Sequence, residues 1–172
     1  MKLYRRPLPD ISLYDSRGER DRAATMALLK EIFGNDVEYS HRPSGAPVVA
    51  CNGMNHNVSL SHSCSTIVIA VAGDEKAIGV DVETYREQLE RVQSKYLSDE
   101  ERKLFTAPID KLKAWTAKEA VYKAALTPGL SLLEIDCTRI SDGIVTARGI
   151  SYNVTYPAAA LDETIAIAIR DK

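Results

Sequence analysis

Two acids stand one residue apart at the end of "AIGVDVE", residues 77 to 83, where Asp81 and Glu83 flank Val82. On an extended strand side chains alternate, so Ala77, Gly79, Asp81 and Glu83 share one face while Ile78, Val80 and Val82 share the other. Crowded like charges repel and are costly to desolvate. The pair therefore marks either the point where a strand reaches water or half of a cation site that needs another ligand. A second stretch, "WTAKEAVYK", carries Trp115, Lys118, Glu119 and Lys123 at helical offsets of three or four. Alone it is an ordinary solvated helix face, with Glu119 four residues before Lys123 in the orientation that favours a surface ion pair. Folded back on the strand end, that helix brings Glu119 to Asp81 and Glu83. Three hard oxygen donors suit Mg2+, which retains waters and commonly completes its shell with substrate phosphates. Lys118 and Lys123 do not suit a metal, but they do neutralise a phosphate bound to one. The combination points to chemistry on a phosphorylated substrate.

These groups need elements to hold them. The spacing predicts a helix over 21–33, with Ala24, Leu28, Leu29, Ile32 and Phe33 at helical intervals between Asp21 as cap and Gly34 as stop. Pro43, Gly45 and Pro47 then force irregular backbone before a short run over 48–51. "HNVSLSHS", "TIVIAVAG" and "AIGVDVE" read as consecutive strands, the last two joined across "GDEK" as a hairpin. "LSDEERKLF" carries a capping box at Ser98 and Glu101, and Pro108 separates it from a helix over 109–126. After the "SDG" turn at 141–143, "IVTAR", "ISYNVTY" and "TIAIAIR" alternate like half-buried antiparallel strands. The order predicts an α+β fold with antiparallel sheets, one compact body made of an N-terminal half at 1–84 and a similar C-terminal half at 85–172.

With 172 residues the chain can bury a real core, and 45% hydrophobic with 27% charged residues is ordinary for a soluble globular protein. No apolar stretch approaches the roughly 20 residues of a membrane span. The first residues lack the apolar region of a signal peptide, so a reducing, cytoplasmic location is expected. Cys51, Cys64 and Cys137 have no CxxC spacing, which argues against a disulfide framework and against zinc. Against 24 acidic residues, 22 basic ones leave no electrostatic footprint for nucleic acid.

"GVDVE" followed by "WTAKEAVYKAA" resembles the paired signature of the 4'-phosphopantetheinyl transferases. "SLSHS" at 59–63 resembles that family's Ser-His segment, "GLSL" at 129–132 the turn after its signature helix, and "RPSGAP" its nucleotide-contacting loop. The resemblance implies Mg2+-dependent transfer of 4'-phosphopantetheine from coenzyme A to a serine of an apo acyl or peptidyl carrier protein, releasing 3',5'-ADP. Such carriers serve fatty acid, polyketide or nonribosomal peptide synthesis. Length and the upstream helix resemble a compact surfactin-type member, a monomeric pseudodimer of two similar α+β halves.

Carried over residue by residue, the resemblance has Asp81, Glu83 and Glu119 hold Mg2+ against the coenzyme A pyrophosphate. Lys118 and Lys123 would contact phosphate oxygens, and Ser61 and His62 would lie near the 3'-phosphate. Asp81, Glu119 and Lys123 would carry catalysis, with Glu119 or a metal-bound water it positions as the base. One loop departs from the pattern. Where many relatives have Tyr-Gly-Lys-Pro, this chain has Ser44, Gly45, Ala46 and Pro47, losing an aromatic and a cation. Gly45 and Pro47 remain as expected coenzyme contacts, and Arg42 is the expected replacement charge, with Arg20 and Arg22 as further candidates. His41 and His56 match no motif and read as structural. The segment 85–105 offers a carrier-contact surface or simply a solvated helical face. Two other classes stay open: a non-catalytic coenzyme A or carrier-binding module, and an unrelated Mg2+-dependent phosphotransferase or hydrolase. The missing Walker-type glycine loop weighs against the latter.

Overall fold

The structure is a computed structural model that describes residues 1–73, 77–160 and 162–171. In chain order its main elements are β1 (Lys2–Pro7), α1 (Arg17–Phe33), β2 (Glu38–His41), β3 (Pro47–Cys51), β4 (Met54–His56), β5 (Val58–His62), β6 (Thr66–Val71) and β7 (Ile78–Thr84). The helices α2 (Glu87–Arg91), α3 (Asp99–Leu104) and α4 (Pro108–Ala125) follow, then β8 (Ile135–Asp136), β9 (Ile144–Ala147), β10 (Ile150–Thr155) and β11 (Glu163–Arg170). The strands make three antiparallel sheets, ordered β1-β6-β5, β7-β11-β10-β9-β8 and β2-β3-β4. The fold is α+β.

Strand alternation builds the layers. On β6, Ile67 and Ile69 turn toward Leu28 and Leu29 of α1, whereas Val68 and Ala70 turn toward Val80 and Val82 of β7 and Ile165 and Ile167 of β11. The opposite face of the five-stranded sheet presents Ala166 and Ala168 to Ala117, Ala120, Val121 and Ala124 of α4. The stack is therefore helix, sheet, sheet, helix, with each apolar face covered. Gly79 leaves no side chain between β7 and α4, which seats the helix directly on the strand.

Helix α1 begins earlier than the periodicity predicts, because Ser16 accepts the Glu19 amide and caps it; Gly34 ends it as expected. Asp21 is instead paired with Arg20. The Ser98–Glu101 capping box is present. The expected hairpin of β6 with β7 is corrected: β6 lies between β1 and β5, and β7 pairs with β11. Both strands are apolar on the faces that meet, so they stack face to face across two sheets instead of pairing edge to edge. Residues 74–76 of the "GDEK" connection lie outside the described residues. Among the described residues no helix is long and apolar enough to cross a membrane. None of the three cysteines is in a disulfide.

Candidate active site

β7 turns Asp81 toward the helix that carries Glu119 and Lys123 one turn apart. Asp81 is 4% exposed, and its Oδ1 accepts hydrogen bonds from Ser61 Oγ at 2.7 Å and Lys123 Nζ at 2.8 Å. Its Oδ2 is buried with no donor in reach. Lys123 Nζ also donates to the Val80 carbonyl at 3.1 Å and the Leu60 carbonyl at 3.5 Å, which plants the ammonium in the seam between β7 and β5.

Glu83 accepts from Arg86 Nη2 on both carboxylate oxygens, at 3.1 and 3.0 Å. Burial pushes its carboxyl above the ordinary range and the Asp81 charge adds to this, against the pull of Arg86. Glu119 is pushed up in the same way, by burial first and then by Asp81, with Lys123 opposing and Glu83 adding to the rise. Glu83 and Glu119 thus share one field, set by burial and the Asp81 charge, that disfavours their ionised forms. Among the described residues no three His, Cys, Asp or Glu side chains are drawn into a ready-made metal cage. The donor chemistry nevertheless fits a hard divalent cation, since it offers three carboxylates, one of them with a buried oxygen that no protein donor satisfies.

A cavity of about 730 Å³ adjoins these groups, walled on one side by Arg42, Gly45 and Pro47 and on the other by Glu119, Tyr122 and Lys123. That volume is in the range of a bound cofactor or drug-sized ligand. The Arg42–Pro47 stretch is the tip of the β2–β3 hairpin: Arg42 N–H donates to Ala46 O and Gly45 N–H to Arg42 O, both at 2.8 Å. Gly45 takes φ +83°, a conformation that side chains disfavour, which is why glycine serves at this tip.

Several expected contacts lie elsewhere. Lys118, expected at phosphate, is corrected: its side chain is fully enclosed and donates to Glu101 Oε2 at 2.7 Å and to the Leu132 carbonyl at 3.2 Å. Consecutive helical residues diverge by about 100°, so Lys118 and Glu119 cannot both face β7. Ser61 is 7% exposed, gives its hydroxyl to Asp81 and does not line the cavity. His62, on the opposite face of β5, meets Thr25 Oγ1 at 2.9 Å; burial lowers its pKa while Asp21 opposes the shift. Arg20 is occupied by Asp21 and the Cys64 carbonyl, and Arg22 is exposed on α1 away from the cavity wall.

His41 and His56 do line the cavity, although both also have structural partners, Tyr39 Oη at 2.9 Å and the Phe33 ring at 4.4 Å. Tyr122 joins them, three residues after Glu119 on the same helix. Only this offset, and the closeness of His41 to the Pro/Gly loop, could have flagged them in the sequence.

A family model described as 4'-phosphopantetheinyl transferase superfamily matches residues 77–169, which include Asp81, Glu83, Glu119 and Lys123. No curated protein gives a match to the chain.

Proposed function

The chain belongs to the 4'-phosphopantetheinyl transferase superfamily, and from that premise we propose that it transfers 4'-phosphopantetheine from coenzyme A to a serine of an apo acyl or peptidyl carrier protein. The observation that carries this reading is the meeting of acids from β7 and α4 beside a cavity whose far wall is the Arg42–Pro47 hairpin tip. Asp81, Glu83 and Glu119 would hold Mg2+, which when bound supplies positive charge to the coenzyme A pyrophosphate.

The remaining work falls to the chain itself. The cavity binds the nucleotide end of coenzyme A, with Gly45 and Pro47 shaping the wall and Arg42 bringing charge to its phosphates. His62, turned to Thr25 on the opposite face of β5, has no part in this cavity, which leaves Arg42 as the cation for the 3'-phosphate. Lys123 holds Asp81 and adds fixed positive charge where negative charge grows on the transferring phosphoryl group. The carrier serine oxygen bonds to the phosphorus next to pantetheine as the bond to 3',5'-ADP breaks. Glu119 is the one acid of the three that lines the cavity, and it receives the serine proton.

The two sheets, each covered by a helix on its outer face, support a compact surfactin-type monomer with halves at 1–84 and 85–172, β7 reaching into the second half's sheet. The test is intact-mass spectrometry of an apo carrier protein incubated with the chain, coenzyme A and Mg2+, beside a metal-free control. A metal-dependent gain of one phosphopantetheine supports the reading. Release of 3',5'-ADP without a carrier would indicate a hydrolase, and no reaction with several carrier classes would indicate a binding module.

A further inference from the structure

Asp81 is held by one oxygen only. Ser61 Oγ and Lys123 Nζ both donate to Oδ1, at 2.7 and 2.8 Å, while Oδ2 is buried and bare. A buried carboxylate oxygen without a donor is costly and uncommon in folded proteins. Its survival here, beside two further acids, marks the direction from which a ligand comes.

Ser61 is part of a wider clamp. Ser59, two residues earlier and so on the same face of β5, accepts the Val80 amide at 2.9 Å. Among the described residues β7 pairs with β11 alone, so this amide lies on its free edge, and β5 grips that edge through side chains. One residue further along β7, Ser61 grips the Asp81 carboxylate itself. Lys123 cannot set the carboxylate's rotation alone, because an ammonium is a point charge with three rotatable donors, and here it is shared among three oxygen acceptors.

We propose that Ser61 is a positioning residue: it fixes the rotation of the Asp81 carboxylate so that Oδ2 faces the divalent cation. This rests on the cation site assigned above to Asp81, Glu83 and Glu119, and it replaces the expected contact of Ser61 with the coenzyme's 3'-phosphate. The hydroxyl has one proton, and that proton is given to Asp81.

The test titrates the full chain with Mn2+ and follows free Mn2+ by its paramagnetic resonance signal. Removing a group that orients a metal-ligating carboxylate costs about ten- to a hundredfold in affinity. Ser61→Ala is expected to show that loss, and Ser61→Thr, which keeps the hydroxyl, to recover most of it. Coenzyme A affinity without metal, read by calorimetry, stays at the wild-type value in both. Ser61→Cys, nearly isosteric and only a weak donor, substitutes for the alanine variant if that variant does not fold, with the same expected weakening. Wild-type Mn2+ affinity in Ser61→Ala overturns the proposal. So does a loss of metal-free coenzyme A affinity with Mn2+ binding intact, the result expected of direct phosphate contact. A wild-type chain that binds no Mn2+ removes the cation site itself, and that failure is visible without any variant.

Discussion

Gly79 and Ala120 leave no room for a side chain between them: a methyl placed on Gly79 would stand 1.8 Å from the Ala120 carbonyl oxygen and 2.7 Å from the Ala124 amide nitrogen. Both atoms are backbone, so no rotamer change relieves the clash. Gly79→Ala must push α4 off β7, taking Glu119 and Lys123 away from Asp81. Overpacking of this kind costs about 3 kcal/mol, or about 6 to 12 °C in Tm for a chain of this size. Thermal unfolding and the rate of carrier modification check it, and both are expected to fall. An unchanged Tm would mean that the helix is not seated on this glycine.

Lys118 and Glu101 form a pair with side chains 0% and 1% exposed. Glu101 also accepts the Cys137 and Ser98 amides, each at 2.8 Å, so the pair ties α3, α4 and the chain after them together. Removing one member leaves a buried charge unpaired. Lys118→Met is expected to cost about 3 to 5 kcal/mol in denaturant unfolding. At a temperature where the variant stays folded, its coenzyme A affinity matches the wild type. Retained stability with lost affinity would restore the phosphate role.

Glu119 gives a prediction with a pH signature. Its carboxyl is raised on folding, chiefly by burial and then by Asp81. The fold therefore bears a cost when Glu119 is ionised; this cost is absent at acid pH and grows as pH rises through the raised value. Glu119→Gln removes it. The variant is expected to melt above the metal-free wild type at neutral pH. The gap closes as pH falls to about 4, where the unfolded carboxyl also takes up its proton. Carrier modification is lost throughout. Melting curves at several pH values decide it; a variant less stable than wild type at neutral pH would contradict the shared field.

Glu163 carries the opposite sign. Burial raises its carboxyl, but hydrogen bonds from Ser63, Ser65 and Thr66 outweigh this and hold it below the ordinary range. A depressed carboxyl stabilises the fold above its unfolded value, and the contribution is lost as pH falls through the folded one. Glu163→Gln is expected to lower Tm at neutral pH and to flatten the wild type's decline below about pH 4. Parallel acid-unfolding curves for the two proteins would count against it.

What the sequence revealed follows its periodicities. Period two on "AIGVDVE" separates the Ile78, Val80 and Val82 face from the Gly79 and Asp81 face, and the packed layers follow that division. Period 3.6 carries Glu119 and Lys123 on one stripe of α4. Lys118 shares an offset of three with Trp115 but stands five residues from Lys123, and its adjacency to Glu119 turns it away from β7. Ser59, Ser61 and Ser63 also alternate visibly. Their partners Val80, Asp81 and Glu163 come from elsewhere in the chain, and only the stacking of two sheets brings them near. The β6–β7 hairpin failed for a related reason: two adjacent apolar strands can stack as readily as they pair, and local spacing does not distinguish these outcomes.

Arg86 offers a test of opposite sign to that of Ser61. Its guanidinium bonds both oxygens of Glu83, with Arg86 52% exposed and Glu83 20%. A divalent cation drawing on Glu83 must share or displace this partner, so Arg86 competes with the metal. An exposed pair of this kind contributes about 0.2 to 1 kcal/mol. Arg86→Gln is therefore expected to tighten Mn2+ binding up to about fivefold, since 1.4 kcal/mol corresponds to a factor of ten. The gain shrinks as salt screens the pair in the wild type. Mn2+ titration of both proteins at low and high ionic strength measures it. Weaker binding in the variant would mean that Arg86 aligns Glu83 for the metal instead of competing with it.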